Sequence, residues 1–97
     1  MPAYIIGQIN ITDPDKYQEY AKLAGPATQK YGGKFLVRGG AKTVLEGKVP
    51  FARIVVTEFP DVEAAKRFYK SVEYQAAREK RLGAADFNMM VVEGAAP

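Results

Sequence analysis

From Ala3 to Ile11 the chain alternates. Ile5, Ile9 and Ile11 fall on one face with Gly7 between them, and Tyr4, Ile6, Gln8 and Asn10 fall on the other. A period of two is that of a β-strand. The period changes after Thr12-Asp13-Pro14-Asp15. Asp13 can accept from free amide hydrogens, Pro14 fits the first turn, and Asp15 suits the positive end of a helix. Tyr17, Tyr20, Ala21, Ala24, Ala27 or Thr28, and Tyr31 then follow at i, i+3, i+4, i+7 spacing, which predicts a helix. Gly25-Pro26 interrupts that stripe, and the lost hydrogen bond predicts a kink or two short helices.

Gly32-Gly33 releases the helix, and Lys34 to Arg38 reads as a second strand. Gly39-Gly40 predicts a bulge or turn, with Ala41 to Glu46 continuing the strand and Gly47 to Phe51 as a hairpin loop. Ala52 to Phe59 is the next strand, rich in β-branched residues. Asp61 caps a helix whose apolar stripe is Val62, Ala65, Phe68 and Tyr69. Ser71 caps a further helix to about Leu82, which Gly83 closes. Asp86 to Glu93 is the last strand. The order β-α-β-β-α-β, with one extra helix before the last strand, predicts a single α+β domain over residues 1–97: a ferredoxin-like sandwich with an antiparallel sheet and its helices on one face.

Three strands break the alternation expected when one sheet face meets water. Phe35-Leu36-Val37, Ile54-Val55-Val56 and Met89-Met90-Val91-Val92 are apolar on both faces. Helices cover one face, and a second copy of the chain is the simplest cover for the other. The expectation is a homodimer packed sheet to sheet as a barrel-like core, burying roughly 800 Å² per partner. An aspartate at Ile54 or Val55, whichever faces the partner, should then disrupt the dimer.

Composition narrows the chemistry. Hydrophobic residues are 47% and charged residues 26%, as in an ordinary globular domain. No apolar run approaches the roughly 20 residues of a membrane span, and Met1-Pro2-Ala3-Tyr4 does not resemble a secretory signal. No membrane partner and a cytoplasmic location are expected. The net charge of +3 is mild, and Glu79 interrupts the densest basic cluster, Arg78 to Arg81, which argues against nucleic acid. The chain has no cysteine and no histidine, and Ser71 is its one serine. Thiolate chemistry and a Ser-His-acid triad are therefore excluded. No carboxylate spacing resembles a calcium loop, and no phosphate-binding glycine motif precedes a helix. The expectation is a protein with no metal and no cofactor.

Arg38 leads the candidate residues. Its guanidinium offers a rigid fork of donors for a carboxylate or phosphate, and Gly39 and Gly40 can add backbone amides beside it. Two readings stay open. In one, Arg38 faces a small organic or anionic ligand. In the other, a bulge at Gly39-Gly40 sets Arg38 opposite Glu58 as a structural ion pair. Tyr17, Tyr20, Tyr69 and Tyr74 lie on helix faces turned to the sheet, where their hydroxyls could converge on a ligand or simply complete the core. Asn88 can donate and accept if it points inward. An enzymatic site would use Arg38 to hold an anion, Glu58 as base, and Tyr17 or Tyr69 as proton donor. Tyr20, Gly39, Gly40, Tyr74 and Asn88 would contact the ligand. The alternative is a non-catalytic dimeric module that binds a ligand or serves a structural or regulatory role.

The run Asp13-Pro14-x-x-Tyr17-x-x-Tyr20, then Tyr31-Gly32-Gly33-Lys34-Phe35-Leu36-Val37-Arg38-Gly39-Gly40, then Glu58-Phe59-Pro60 and Ser71-x-Glu73-Tyr74, resembles the bacterial family called domain of unknown function 1330. The resemblance extends from about Ala3 to Gly94. It implies membership of the dimeric α/β-barrel group, in which ferredoxin-like protomers pair. That group includes cofactor-free monooxygenases, enzymes that break down small aromatic compounds, and proteins without known activity.

Overall fold

The structure is a computed structural model, and it describes residues 1–96. Strand β1 (Ala3–Ile11) leads into helix α1 (Pro14–Lys30), then β2 (Lys34–Arg38) and β3 (Arg53–Phe59). Helices α2 (Val62–Lys70) and α3 (Val72–Arg81) precede β4 (Ala85–Glu93). The sheet order is β2-β3-β1-β4 with every neighbour antiparallel. This is the ferredoxin-like arrangement.

The helix ends follow the expected chemistry. The Asp13 carboxylate accepts from the Lys16 amide at 3.2 Å, and Asp61 accepts from the Ala64 amide at 2.7 Å. Ser71 serves two helices. Its hydroxyl donates to the Phe68 carbonyl at 2.7 Å and accepts from the Tyr74 amide at 3.0 Å, so α2 closes and α3 opens on one side chain. At the end of α1 the Gly33 amide reaches back to the Thr28 carbonyl. A β-carbon on Gly33 would lie 2.6 Å from the Thr28 methyl and 2.8 Å from the Phe59 ring. Only glycine permits that close approach.

One face of β1 is buried at Ala3, Ile5, Gly7 and Ile9. Across the sheet it aligns with Thr57 and Phe59 of β3. Above it Phe68 stacks between Phe59 at 5.1 Å and Tyr74 at 4.7 Å, measured between ring centroids. Such aromatic pairs add about 0.5–1.5 kcal/mol each beyond the area they bury. The opposite face carries no helix. Ile6 pairs with Val56 and Met90, and Tyr4 with Glu58 and Val92. Met90 and Val92 are exposed there.

Three expectations need correction. Helix α1 runs through Gly25-Pro26 as one element of 17 residues. Pro26 has no amide to offer, but Ala24, Ala27 and Thr28 on either side of it are buried, and the Thr28 hydroxyl donates to the Ala24 carbonyl at 2.7 Å. Packing there outweighs one missing backbone bond. Residues Ala41 to Glu46 are not strand. After the Gly39 amide bonds the Ile54 carbonyl, Gly39 takes a positive φ of 74° and the chain leaves the sheet. The connection to β3 is therefore a loop far longer than Gly47 to Phe51. It is tied down at its far end by Asn10, whose side chain donates to the Pro50 carbonyl and accepts from the Ala52 amide, each at 2.8 Å.

The third correction concerns register. The bulge lies between Phe35 and Val37, not at Gly39-Gly40. Lys34 opposes Glu58, Val37 opposes Val56, and Arg38 opposes Val55. The Arg38–Glu58 pair, one of the two open readings, does not form, because the two residues stand on opposite faces of the sheet.

A charged clamp joins the end of α1 to the start of α3. Lys30 forms a salt bridge with Glu73, and the Tyr31 hydroxyl donates to the other Glu73 oxygen at 2.9 Å. The bond from Lys30, with help from a backbone amide and Tyr31, lowers the Glu73 carboxyl from 4.5 to about 2. A depressed carboxylate stabilises the fold above its unfolded pKa, and that contribution fades as pH falls through the folded one. Between pH 4.5 and about 2, the native protein should lose stability more steeply than Glu73→Gln in denaturant titrations. Parallel acid profiles would contradict this assignment.

Candidate functional site

The bulge at Leu36 determines where Arg38 points. Strict alternation from Lys34 would place Arg38 on the bare face, opposite Ile54. The extra residue instead turns it to the helix side, together with Phe35. There the guanidinium lies 4.1 Å from the centroid of the Phe35 ring. It also sits close beneath α1 at Gly25, where a β-carbon would be 3.4 Å from its Nη2.

A second arginine joins it. Arg53 opens β3 and stands opposite Ile9, with its guanidinium 6.0 Å from the Tyr17 ring. Gly39 makes room for it, since a β-carbon there would fall 1.9 Å from the Arg53 Nη1. The Nε of Arg53 is buried and has no hydrogen-bond partner. Among the described residues neither Arg38 nor Arg53 forms a salt bridge.

Both arginines border a cavity of about 70 Å³ between α1 and the sheet. Gly7, Val55, Thr57 and Met89 form its floor, and Tyr17, Tyr20, Ala21 and Ala24 its roof. Phe68 and Tyr74 close the deep end. Gly7 keeps the floor low, with the Phe87 ring 3.7 Å from where its β-carbon would be. No aspartate or glutamate lines the cavity. It is a small apolar and aromatic chamber with two cations at its border.

The tyrosines are coupled. The Tyr20 and Tyr74 hydroxyls lie 3.0 Å apart, and the Tyr74 hydroxyl also approaches Met89 Sδ at 3.9 Å. A Tyr74 proton aimed at the sulfur leaves Tyr20 as the donor between the two phenols. Burial first, and the neighbouring Tyr74 phenol second, push the Tyr20 phenol far above its ordinary value of 10.0. The Tyr20 phenol therefore keeps its proton and acts through its hydrogen bond with Tyr74.

Of the residues expected at a site, Arg38, Tyr17, Tyr20 and Tyr74 meet at this cavity. Gly39 borders it indirectly by seating Arg53, whereas Gly40 is exposed with open space around it. Glu58 lies across the sheet between Tyr4 and Lys34 and cannot act as a base here. Tyr69 and Asn88 line a different cleft, beside β4. Arg53 escaped the sequence reading, as did Phe35 and Thr57. Their signal was alternation: Arg53, Val55 and Thr57 share one face of β3, the face that Phe59 buries. Among the described residues no three His, Cys, Asp or Glu side chains gather as a metal site, and no helix is long and apolar enough to cross a membrane.

A family model described as domain of unknown function (DUF1330) matches residues 2–95. No curated protein matches the chain significantly. Among solved structures, a protein of unknown function from Rhodopseudomonas palustris is similar with a TM-score of 0.77 at 20% identity, covering 99% of this chain and 84% of that one. A dimeric ferredoxin-like protein of unknown function from Jannaschia sp. CCS1 gives 0.76 at 14% identity, covering 97% and 100%. SnoaB, a cofactor-independent oxygenase from Streptomyces nogalater, gives 0.65 at 6% identity, covering 99% and 95%. At these identities the likeness is one of fold.

Alkaline titration followed by tyrosine absorbance checks the state of Tyr20. While the protein stays folded, up to about pH 11, Tyr20→Phe should titrate as many phenols as the native protein. Loss of one titrating phenol in the variant would show that Tyr20 ionises with the rest.

Proposed function

This chain belongs to the domain of unknown function 1330 family, and from that membership and its geometry we propose a homodimer that binds a small planar organic anion beneath α1. The observation that carries the reading is the pair of guanidinium groups, Arg38 and Arg53, bordering an aromatic cavity with no carboxylate in its lining. Arg38 is exposed and Arg53 half-buried, and the Arg53 Nε is out of water without a partner among the described residues, so the cost of an unmet donor falls on Arg53. A carboxylate, phenolate or enolate on the ligand would supply a partner through charge-assisted hydrogen bonds. The ring of such a ligand fits against Tyr17, Tyr20 and Phe87, which line the cavity.

The same lining favours binding over base-catalysed chemistry. Catalysis by proton abstraction needs a side chain that accepts the proton within hydrogen-bond reach. With Glu58 across the sheet, the cavity lining holds no carboxylate, and its hydroxyls are weak bases. A non-catalytic binding role is thus the reading this set of residues supports best. The oxygenase SnoaB shares the fold, and an enzymatic role on this scaffold would require a substrate that brings its own basicity.

The bare sheet face gives the dimer its surface. Ile6, Ile54 and Val56 lie at its centre, with Val37, Met90 and Val92 around them. A contiguous apolar face of this kind is uncommon on a monomer. A second copy matches it without further assumption, and the Jannaschia protein of the same fold is described as dimeric. The cytoplasm is the location consistent with a chain that has no cysteine.

Two measurements follow. In calorimetry with benzoate, Arg38→Met and Arg53→Met should each weaken binding about tenfold or more while leaving the melting temperature nearly unchanged. Absence of benzoate binding, or binding indifferent to both substitutions, would remove the support for this site. In sedimentation, the native protein should be a dimer and Val56→Asp a monomer or an aggregate. A stable Val56→Asp dimer would count against pairing through the sheet.

A further inference from the structure

The second cleft, which holds Tyr69 and Asn88, has a chemistry of its own. It lies where α2 and α3 overhang β4. Lys66 and Lys70 are one turn apart on α2, and Arg78 and Arg81 are one turn apart on α3, so each pair presents on a single helix face. All four line the cleft, and no aspartate or glutamate does. Glu63, well exposed, lies 3.6 Å from the Lys66 amine.

Two details separate this cluster from an ordinary solvated face. Arg81 is buried, with a relative exposure of 8%. The Nε atoms of both Arg78 and Arg81 are buried without a hydrogen-bond partner. Cations at helix C-termini are commonly explained by the helix dipole. That explanation suffices for an exposed lysine such as Lys70. It does not explain two guanidinium groups held partly out of water with donors unused, which costs free energy. Arg81 is held in place by ring faces, 3.9 Å from the Phe87 centroid and 5.5 Å from that of Tyr20. Its fork is thus fixed before any ligand arrives.

We propose that this cleft is a second ligand site, separate from the cavity beneath α1, that takes a phosphate monoester with an apolar or aromatic body. A doubly charged phosphate matches four cations better than one carboxylate would, and two guanidinium forks suit its oxygens. Val91, Ala65 and the Tyr69 ring supply an apolar wall for the rest of the molecule. The two sites back onto each other through Ile5, Phe87 and Met89, which line both.

Phenyl phosphate is the probe. Titrated into the native protein, it should shift the amide resonances of Tyr69, Lys70, Arg78 and Arg81 and leave those of Gly25 and Arg38 in place. In calorimetry, Arg78→Met and Lys70→Ala should each weaken binding, the arginine variant by about tenfold or more, while Arg38→Met binds as the native protein does. The proposal is overturned if phenyl phosphate does not bind at millimolar concentration. It is equally overturned if binding survives both cleft substitutions, or if Arg38→Met abolishes it, which would place the ligand beneath α1. The resonance shifts need no variant, so the test stands even if a substitution unfolds the protein.

Discussion

One inserted residue, Leu36, sets the chemistry of both sheet faces. A strand changes face at every residue, so a single extra residue moves everything beyond it to the other side. Before the bulge, Lys34 stands beside Glu58 on the bare face. After it, Arg38 stands over Val55 beneath α1. The bulge thus separates two charges that an unbroken strand would bring to one face. It aims the arginine at a cavity. The arrangement of the neighbouring glycines follows from this. Gly25 lets α1 pass close to Arg38, and Gly39 yields its space to Arg53.

The molecule has an unusual supply of unpaired guanidinium groups. Arg53, Arg78 and Arg81 each bury an Nε with no partner. Ring faces of Tyr17, Tyr20 and Phe87 attract two of these cations, but such contacts recover about 0.5–2 kcal/mol and leave the N–H donors unsatisfied. The carboxylates lie elsewhere. Glu73 is engaged by Lys30 and Tyr31, Glu63 by Lys66, and Asp13 and Asp61 cap helices. These four acids serve the scaffold, while among the described residues Arg38, Arg53, Arg78 and Arg81, which line the two concavities, form no salt bridge. That division is the physical basis for reading both concavities as anion sites.

Much of the fold was legible because the local signals agreed with one another. Asp13-Pro14, Asp61 and Ser71 mark helix starts by hydrogen bonds that depend on near neighbours alone, and the alternation of β1 separates its two faces. Pro26 misled because its cost is local while the packing of Ala24, Ala27 and Thr28 that outweighs it is tertiary. The bulge misled for a related reason. Glycines at 39 and 40 are the obvious place for one, yet the extra residue sits at Leu36, where no glycine or polar residue marks it. Register between two strands is a property of the pair, and β2 alone does not reveal it. Glu58 and Arg53 are placed by β3 itself: Glu58 falls on the bare face with Val56, and Arg53 on the cavity face with Val55. The tyrosines were found because helical spacing puts Tyr17, Tyr20 and Tyr74 on inward faces, and the same spacing misassigned Tyr69, which borders the other cleft.

The most direct test is a high-resolution crystal structure of the protein purified without added ligand, examined between Arg38 and Arg53 under α1. We expect Arg38 turned to the helix side, with density for an anion or a planar molecule within hydrogen-bond distance of the two guanidinium groups. An unbulged β2, with Arg38 on the bare face opposite Ile54, would contradict the account at its foundation.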